Sequence, residues 1–247
     1  MSKGRVLITG GSGFVGRASA IAIQEAGWKV VYGRRNIETE NNDSALTLDL
    51  DDPVSILQLS SAGPFDAIVH LGAHIGWGRD SLARMYVPNV LATGCLAELA
   101  SLWGAHLIYA SAAIVCGVSS QNITANSSVI TDTDYAKTKW LGEQLIQASG
   151  VSHCVLRIAG VFGRQGPDHL GLNRAINGAL VGEKPILVGT GRALRNYIYV
   201  KDVASAIVYA LEKRLVGQHL LAGRDALSVA SMLNAVCAVF LPGESPI

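Results

Sequence analysis

A short apolar run, Arg5 to Thr9, leads directly into Gly10-Gly11-Ser12-Gly13-Phe14-Val15-Gly16, and these glycines open a helical pattern over Gly13 to Ala26. A strand that turns on glycines into a helix commits a chain to an α/β fold more firmly than any other local pattern here. Gly10 can take the tight turn, Gly13 lets a ligand approach the backbone, and Gly16 lets the helix pack closely on the strands. The helix start then offers free N–H groups and the positive end of its dipole to an anion. In this context the turn, with Ser12, Phe14 and Val15 in it, predicts a cradle for a dinucleotide pyrophosphate.

The rest of the chain keeps the same rhythm. Lys29 to Tyr32, Ala45 to Leu48, Ala67 to Leu71, His106 to Ala110 and Ser152 to Arg157 read as buried strands, with helices over Pro53 to Ser60, Pro88 to Trp103 and Tyr135 to Gln147 between them. Right-handed crossovers wind such units into a doubly wound Rossmann parallel sheet. Beyond Gly163 glycines and prolines loosen the pattern, leaving a strand candidate at Asn196 to Val200 and helices at Val203 to Glu212 and Ser228 to Phe240. The expected organisation is a dinucleotide-binding domain over 1–163 and a small C-terminal substrate cap over 164–247, part of which returns to the first domain.

Composition excludes several classes of partner. With a net charge of +1 and 16% charged residues, the chain has no global field to gather nucleic acid or an acidic membrane. Any charged ligand must be held locally, so the expected partner is a small-molecule substrate. Leu99 to Thr131 lacks Asp, Glu, Lys and Arg, but Gly104, His106, Gly117 and a Ser/Asn/Gln cluster divide it into pieces too short to span a bilayer. Cys95, Cys116, Cys154 and Cys237 form no CxxC pair and lie in apolar segments, as buried free thiols do. No metal site is expected. Met1-Ser2-Lys3 runs straight into Val6-Leu7-Ile8, which leaves no room for a signal peptide, and a cytoplasmic location is expected.

The second strand decides which nicotinamide cofactor is read. About 18 residues past Gly16 stands Arg34-Arg35, where an acidic residue would bind the adenosine ribose and an arginine would pair with a 2′-phosphate. No carboxylate lies between Lys29 and Ile37, so NADP(H) is favoured over NAD(H). Farther on, Tyr135-Ala-Lys-Thr-Lys139 begins a helix and puts Tyr135 and Lys139 on one face. A nearby ammonium can stabilise the phenolate of a tyrosine whose ordinary pKa is about 10, making it a proton shuttle.

With the Gly-x-x-Gly-x-x-Gly spacing and Tyr-x-x-x-Lys both present, the chain resembles an extended short-chain dehydrogenase/reductase of the NAD-dependent epimerase/dehydratase family over nearly its whole length. The resemblance implies Tyr135 as acid/base and Lys139 as its partner and ribose ligand. It implies Asp49-Leu50 at the adenine, His70-Leu71-Gly72-Ala73 as the strand end along the cofactor, with Leu71 and Ala73 as its ligands, and Asn89 in the helix behind the nicotinamide. Arg195, in Arg195-Asn-Tyr-Ile-Tyr-Val-Lys-Asp202, would touch an anionic substrate group, and Glu143 fits the pattern after Lys139. A nucleotide sugar is the implied substrate class, and a homodimer through the helices starting at Pro88 and Tyr135 is the implied assembly.

Two departures qualify what carries over. The family pattern Ser-Ser/Thr-x-x-Val-Tyr-Gly has a second hydroxyl residue that polarises substrate, whereas Ser111-Ala112-Ala113-Ile114-Val115-Cys116-Gly117 has alanine there. Either Ser111 supplies the hydroxyl after a one-residue shift or the site works without it. Ala113-Ile114 also stand where resembling dehydratases carry an Asp-Glu pair, which argues against dehydration. Second, family members continue well past a motif like Val200-Lys-Asp-Val203, so the expected cap is small. Reductase and epimerase both fit, and so does a non-enzymatic NADP(H)-binding sensor or scaffold with a degenerate site.

Overall fold

In the computed structural model, residues 2–36, 44–76, 82–120 and 122–247 are described. They form two compact units, 1–158 with 204–220, and 159–203 with 221–247.

The first unit is built on the strands β1 (Arg5–Thr9), β2 (Lys29–Arg34), β3 (Ala45–Thr47), β4 (Ala67–His70), β5 (His106–Ala112) and β6 (His153–Ile158). Their order across the sheet is β3-β2-β1-β4-β5-β6, every neighbouring pair is parallel, and a further strand, Gly217–Leu221, lies beyond β6. This is the doubly wound Rossmann order. Its reversal point falls between β1 and β4, where ligands of such sheets bind.

Helices α1 (Phe14–Glu25), α2 (Pro53–Leu57), α3 (Leu82–Tyr86), α4 (Ala92–Trp103) and α5 (Asp134–Ser149) follow the strands. Leu7, Ile68, Leu107 and Tyr109 from the sheet pack on Leu96, Ala97, Leu99 and Ala100 of α4 and Ile146 of α5 in one core. That burial explains why the segment Leu82–Trp103, long and apolar enough to cross a membrane, reads here as a core helix. Thr133 caps α5 by accepting a hydrogen bond from the Ala136 N–H, and Asp134 sits in its first turn, so the chain enters this helix at a defined residue.

The helix expected from Pro88 starts earlier than its proline. Leu82–Tyr86 is helical, Val87–Leu91 forms a wide π turn, and α4 continues from Ala92. Pro88 has no N–H to give the preceding turn, and a widened turn absorbs the missing bond.

The second unit contains β7 (Gly160–Phe162), α6 (Gly171–Ala179), β8 (Leu194–Arg195) and β9 (Tyr197–Tyr199). Helix α7 (Val200–Lys213) carries the chain back to the first unit, where β10 (Gly217–Leu221) follows; β11 (Leu227–Ser228) and α8 (Val229–Phe240) complete the second. Ala175, Ile176 and Ala179 of α6 pack on Leu233 and Val236 of α8. β7 pairs with β9 in parallel, and β8 with β11 antiparallel. The buried Asn173 ties the loop after β7 to α6, accepting from the Gly163 N–H at 3.1 Å and donating to the Val161 carbonyl at 3.0 Å.

Candidate active site

The glycine turn leaves room for backbone and for nothing larger. A Cβ on Gly16 would lie 2.0 Å from the Gly10 carbonyl oxygen, and one on Gly10, at φ +68°, would lie 2.5 Å from the Gly72 nitrogen. Gly13 caps α1 with no side chain, so the first N–H groups of α1 have no capping acceptor. Beside the turn opens a cleft of about 880 Å³ lined by Gly10, Ser12, Arg34, Arg35, Asp49, Leu50 and Ala73 among others. A cleft of this size with uncapped helix N–H groups fits a dinucleotide. Gly13, Phe14, Val15 and Gly16, at the start of α1, are not lining residues of the cleft, and neither are Leu71, beside Gly72, and Asn89, which bonds the His74 backbone.

Tyr32 and Arg17 also line the cleft, and the sequence reading missed both. Tyr32 is hidden in the apolar pattern of β2. Arg17 had a signal, since it stands four past Gly13 at the helix start, where its Nη1 donates to the Ser12 carbonyl at 2.8 Å.

The two arginines that pointed to NADP(H) are engaged. Arg35 donates through Nε to Asp49 at 3.2 Å and through Nη2 to Asp51 at 2.7 Å. The Arg34 guanidinium lies 4.9 Å over the Tyr32 ring.

The Gly72-Ala73 edge continues into His74, whose backbone is held on both sides by one buried side chain. Asn89, in the π turn, accepts from the His74 N–H at 2.7 Å and donates to the His74 carbonyl at 2.9 Å. The same amide donates to Thr138 Oγ1 at 3.0 Å, and Thr138 donates to the Tyr135 carbonyl at 2.9 Å. The first turns of α5 are thereby fastened to the loop that borders the cleft.

On α5, Tyr135 is half-buried and Lys139 is 2% exposed. Burial pushes the Tyr135 hydroxyl up to about 12. Burial pulls the Lys139 ammonium down to about 7, against the opposing pull of the Glu143 carboxylate. Lys139 Nζ sits 4.2 Å over the Tyr109 ring. Among the described residues, neither the Tyr135 hydroxyl nor Lys139 Nζ makes a hydrogen bond.

Ser111 is engaged by the protein. It is 4% exposed and donates its hydroxyl to Glu143, whose carboxylate also accepts Arg157 Nε at 3.1 Å and Nη2 at 2.7 Å. The remaining arm, Nη1, reaches Cys116 Sγ at 3.7 Å. Here the Ser111 hydroxyl hydrogen goes to a buried carboxylate, and Ala112 beside it has no hydroxyl.

Arg195, in the second unit, is exposed on β8 and, among the described residues, donates only to its neighbour's carbonyl, Leu194 O, at 2.8 Å. Asp168 is used within its own loop, accepting from Asn177 Nδ2 at 2.7 Å. The four cysteines are free thiols, and no group of three metal-ligating side chains occurs among the described residues.

Residues 6–223 match the model of the NAD dependent epimerase/dehydratase family. The chain belongs to this family. Its members among curated relatives include the UDP-glucose 4-epimerase of Corynebacterium glutamicum, 27% identical over 87% of this chain and 73% of that protein. A dTDP-glucose 4,6-dehydratase of Mycobacterium tuberculosis is 25% identical over 93% of this chain and 76% of that protein. Among solved structures, UDP-N-acetylglucosamine 4-epimerase from Bacillus cereus superposes with a TM-score of 0.85 at 23% identity, covering 99% of this chain and 87% of the other. The Bordetella bronchiseptica enzyme WbmG in complex with NAD superposes with a TM-score of 0.82 at 21% identity, covering 100% of this chain and 81% of the other. Family membership thus establishes an extended short-chain dehydrogenase/reductase with the Rossmann fold, and NAD as the family's cofactor. Because both epimerases and dehydratases are among the relatives, likeness does not support setting dehydration aside, and that argument rests on Ala113 and Ile114 alone.

Proposed function

We propose that this chain is an NAD(H)-dependent enzyme acting on a nucleotide sugar, with Tyr135 as acid/base and Lys139 as its electrostatic partner, and that epimerisation is the reaction its residues suit best. The observation that carries the reading is the pair itself. Asn89, Ser111, Glu143 and Arg157 all have protein partners, while the Tyr135 hydroxyl and Lys139 Nζ have no hydrogen bond among the described residues and so remain available to a ligand.

The bound nicotinamide would supply a hydride acceptor and donor, and inversion requires the keto sugar to turn its other face toward it before reduction. Tyr135 takes the proton of the carbinol hydroxyl as the carbonyl forms and gives it back on reduction. A protonated Lys139 favours the phenolate and, with its free donors, would hold the nicotinamide ribose. Ala113 and Ile114 move no protons, so an elimination would lack its acid and base. The cleft favours NAD(H) over NADP(H), because Asp49 and Asp51 neutralise the Arg35 cation that a 2′-phosphate would need. Arg195, in the second unit, is the side chain proposed to meet the substrate's anionic group. Leu91, Leu102 and Leu145, exposed on the π turn, α4 and α5, support a homodimer through these helices.

One observation favours a second reading. With Ser111 bound to Glu143 and alanine at 112, the site has lost the family's polarising hydroxyl, as a cofactor-binding sensor could. Tyr135→Phe separates the two. Assayed with NAD+ and UDP-hexoses, it should lose turnover while keeping NAD+ binding; turnover equal to wild type would discard the catalytic reading. Titration with NAD+ and NADP+ in parallel tests the cofactor, and tighter NADP+ binding would reverse that assignment.

A further inference from the structure

His70, the last residue of β4, is 1% exposed and is not a lining residue of the cleft. Its two ring nitrogens are held by two threonines. Nδ1 lies 2.6 Å from Thr9 Oγ1, and Nε2 lies 3.0 Å from Thr93 Oγ1.

The hydrogens in this chain can be assigned by counting donors. Thr93 donates its single hydroxyl hydrogen to the Asn89 carbonyl at 2.7 Å, so toward His70 it can only accept, and Nε2 must carry a hydrogen. At the other end Thr9 Oγ1 accepts the Gly72 N–H at 3.2 Å and needs an acceptor for its own hydrogen. A neutral imidazole protonated at Nε2 supplies that acceptor at Nδ1. A cation would put two hydrogens between Thr9 and the ring. Burial and the Lys139 charge agree with this assignment, lowering the ring's pKa to about 3.

The result is a chain with one direction: Gly72 N–H to Thr9, Thr9 to His70, His70 to Thr93, and Thr93 to the Asn89 carbonyl. It begins at the residue packed against the cofactor turn, since Gly72 is what a side chain on Gly10 would strike. It ends on the residue whose amide fastens Thr138 and, through it, the Tyr135 carbonyl. A side branch reaches Lys139. The Tyr109 ring packs 5.4 Å from His70, its hydroxyl donates to the Lys139 carbonyl at 3.4 Å, and its face carries Lys139 Nζ.

We propose that His70, as the neutral Nε2–H tautomer, is a positioning residue that couples the dinucleotide turn to the helix carrying Tyr135 and Lys139. Cofactor binding at the Gly10 turn and the placing of the pair are then one event, joined by a polarised run of hydrogen bonds. This rests on the cofactor and Tyr/Lys reading above.

The far link is the informative place to cut, because Thr93 lines neither the cleft nor the pair. In the full-length protein, Thr93→Val keeps the shape and removes the acceptor, whereas Thr93→Ser keeps the hydroxyl. NAD+ titration by calorimetry should show affinity about five- to tenfold weaker in Thr93→Val and near wild type in Thr93→Ser. Nitrogen-15 spectra of the wild-type protein labelled at histidine should show His70 protonated at Nε2 and bare at Nδ1, with both signals moving when NAD+ is added. Equal NAD+ affinity in the two variants overturns the coupling, and so does a proton on Nδ1. The wild-type spectrum decides the tautomer even if Thr93→Val does not fold. A wild-type protein that binds no NAD+ removes the cofactor reading together with the coupling. If Tyr135→Phe keeps full turnover, the catalytic reading falls, while the Thr93 comparison still stands or fails by itself.

Discussion

Helix α5 carries two polar clusters one turn apart, and they are built in opposite ways. Around Glu143, every charge is answered: Arg157 grips the carboxylate with two nitrogens and Ser111 donates to it, all of them buried. At Tyr135 and Lys139, no hydrogen bond answers the reacting atoms among the described residues. Neither atom is among the buried unpartnered side-chain atoms of the described residues, which are Trp28 Nε1 and His106 Nε2, so both stay accessible to a ligand. The filled cluster holds α5 to β5 and β6; the open one is left for chemistry. Substitutions in the two should therefore fail differently.

Tyr135→Phe should show the largest effect, a fall in kcat of about 10²- to 10⁴-fold, with a thermal midpoint near wild type because no protein partner is lost. A melting transition displaced as far as the rate would erase the distinction between the clusters. Glu143→Gln should do the reverse, leaving Arg157 as an unanswered buried cation at a cost of about 3–5 kcal/mol. At about 2–4 °C per kcal/mol for a chain of this size, the midpoint should drop by roughly 6–20 °C, as circular dichroism can measure. Ala112→Ser sharpens the comparison from the open side. A donor to a developing alkoxide is worth about 2.7–4 kcal/mol in an evolved site, and a restored one should raise kcat by about tenfold. No gain would mean that the polarising role is filled elsewhere or is not needed.

The smallest effect is in the pH dependence of stability. Lys139 titrates at about 7 when folded against an ordinary 10.5. Between these values the unfolded chain binds more protons, so this group makes stability rise with pH from about 7 toward 10.5 and contributes no slope below 7. Lys139→Met should flatten that rise in melting midpoints measured from pH 7 to 9.5. A rise of the same size in the variant would assign it to other groups.

Much of the fold could be read from local pattern. Strands β1, β2, β4, β5 and β6 lie within a residue or two of their apolar runs, because a parallel sheet covered on both faces needs continuous β-branched and aliphatic stretches. Helix α6 was missed. Gly171, Asn173 and Gly178 weaken its helical signal, and the helix is held by packing on α8 and by the buried Asn173. Strand β10 escaped notice for a related reason, since Gly217-Gln218-His219 has no strand character and pairing at the sheet edge decides it. The π turn at Asn89 was hidden too, because the chain shows only a proline in an apolar run.

Within the site, the sequence by itself determined the glycine turn, the Tyr135/Lys139 spacing and the absence of a hydroxyl at 112. These are local facts, set by residue identity along one strand, one turn and one helix. Only the tertiary structure decided which polar groups are already spent. Ser111 meets Glu143 across 32 residues, Arg35 meets Asp49 across 14 and Asp51 across 16, and His70 meets Thr9 across 61. Each of these meetings depends on the order of strands in the sheet. A hydrogen bond satisfies two groups wherever they stand in the chain, so residue type could nominate Ser111, Arg35 and the Tyr135/Lys139 pair alike. Among the described residues, the fold engaged the first two and gave the reacting atoms of the pair no hydrogen bond.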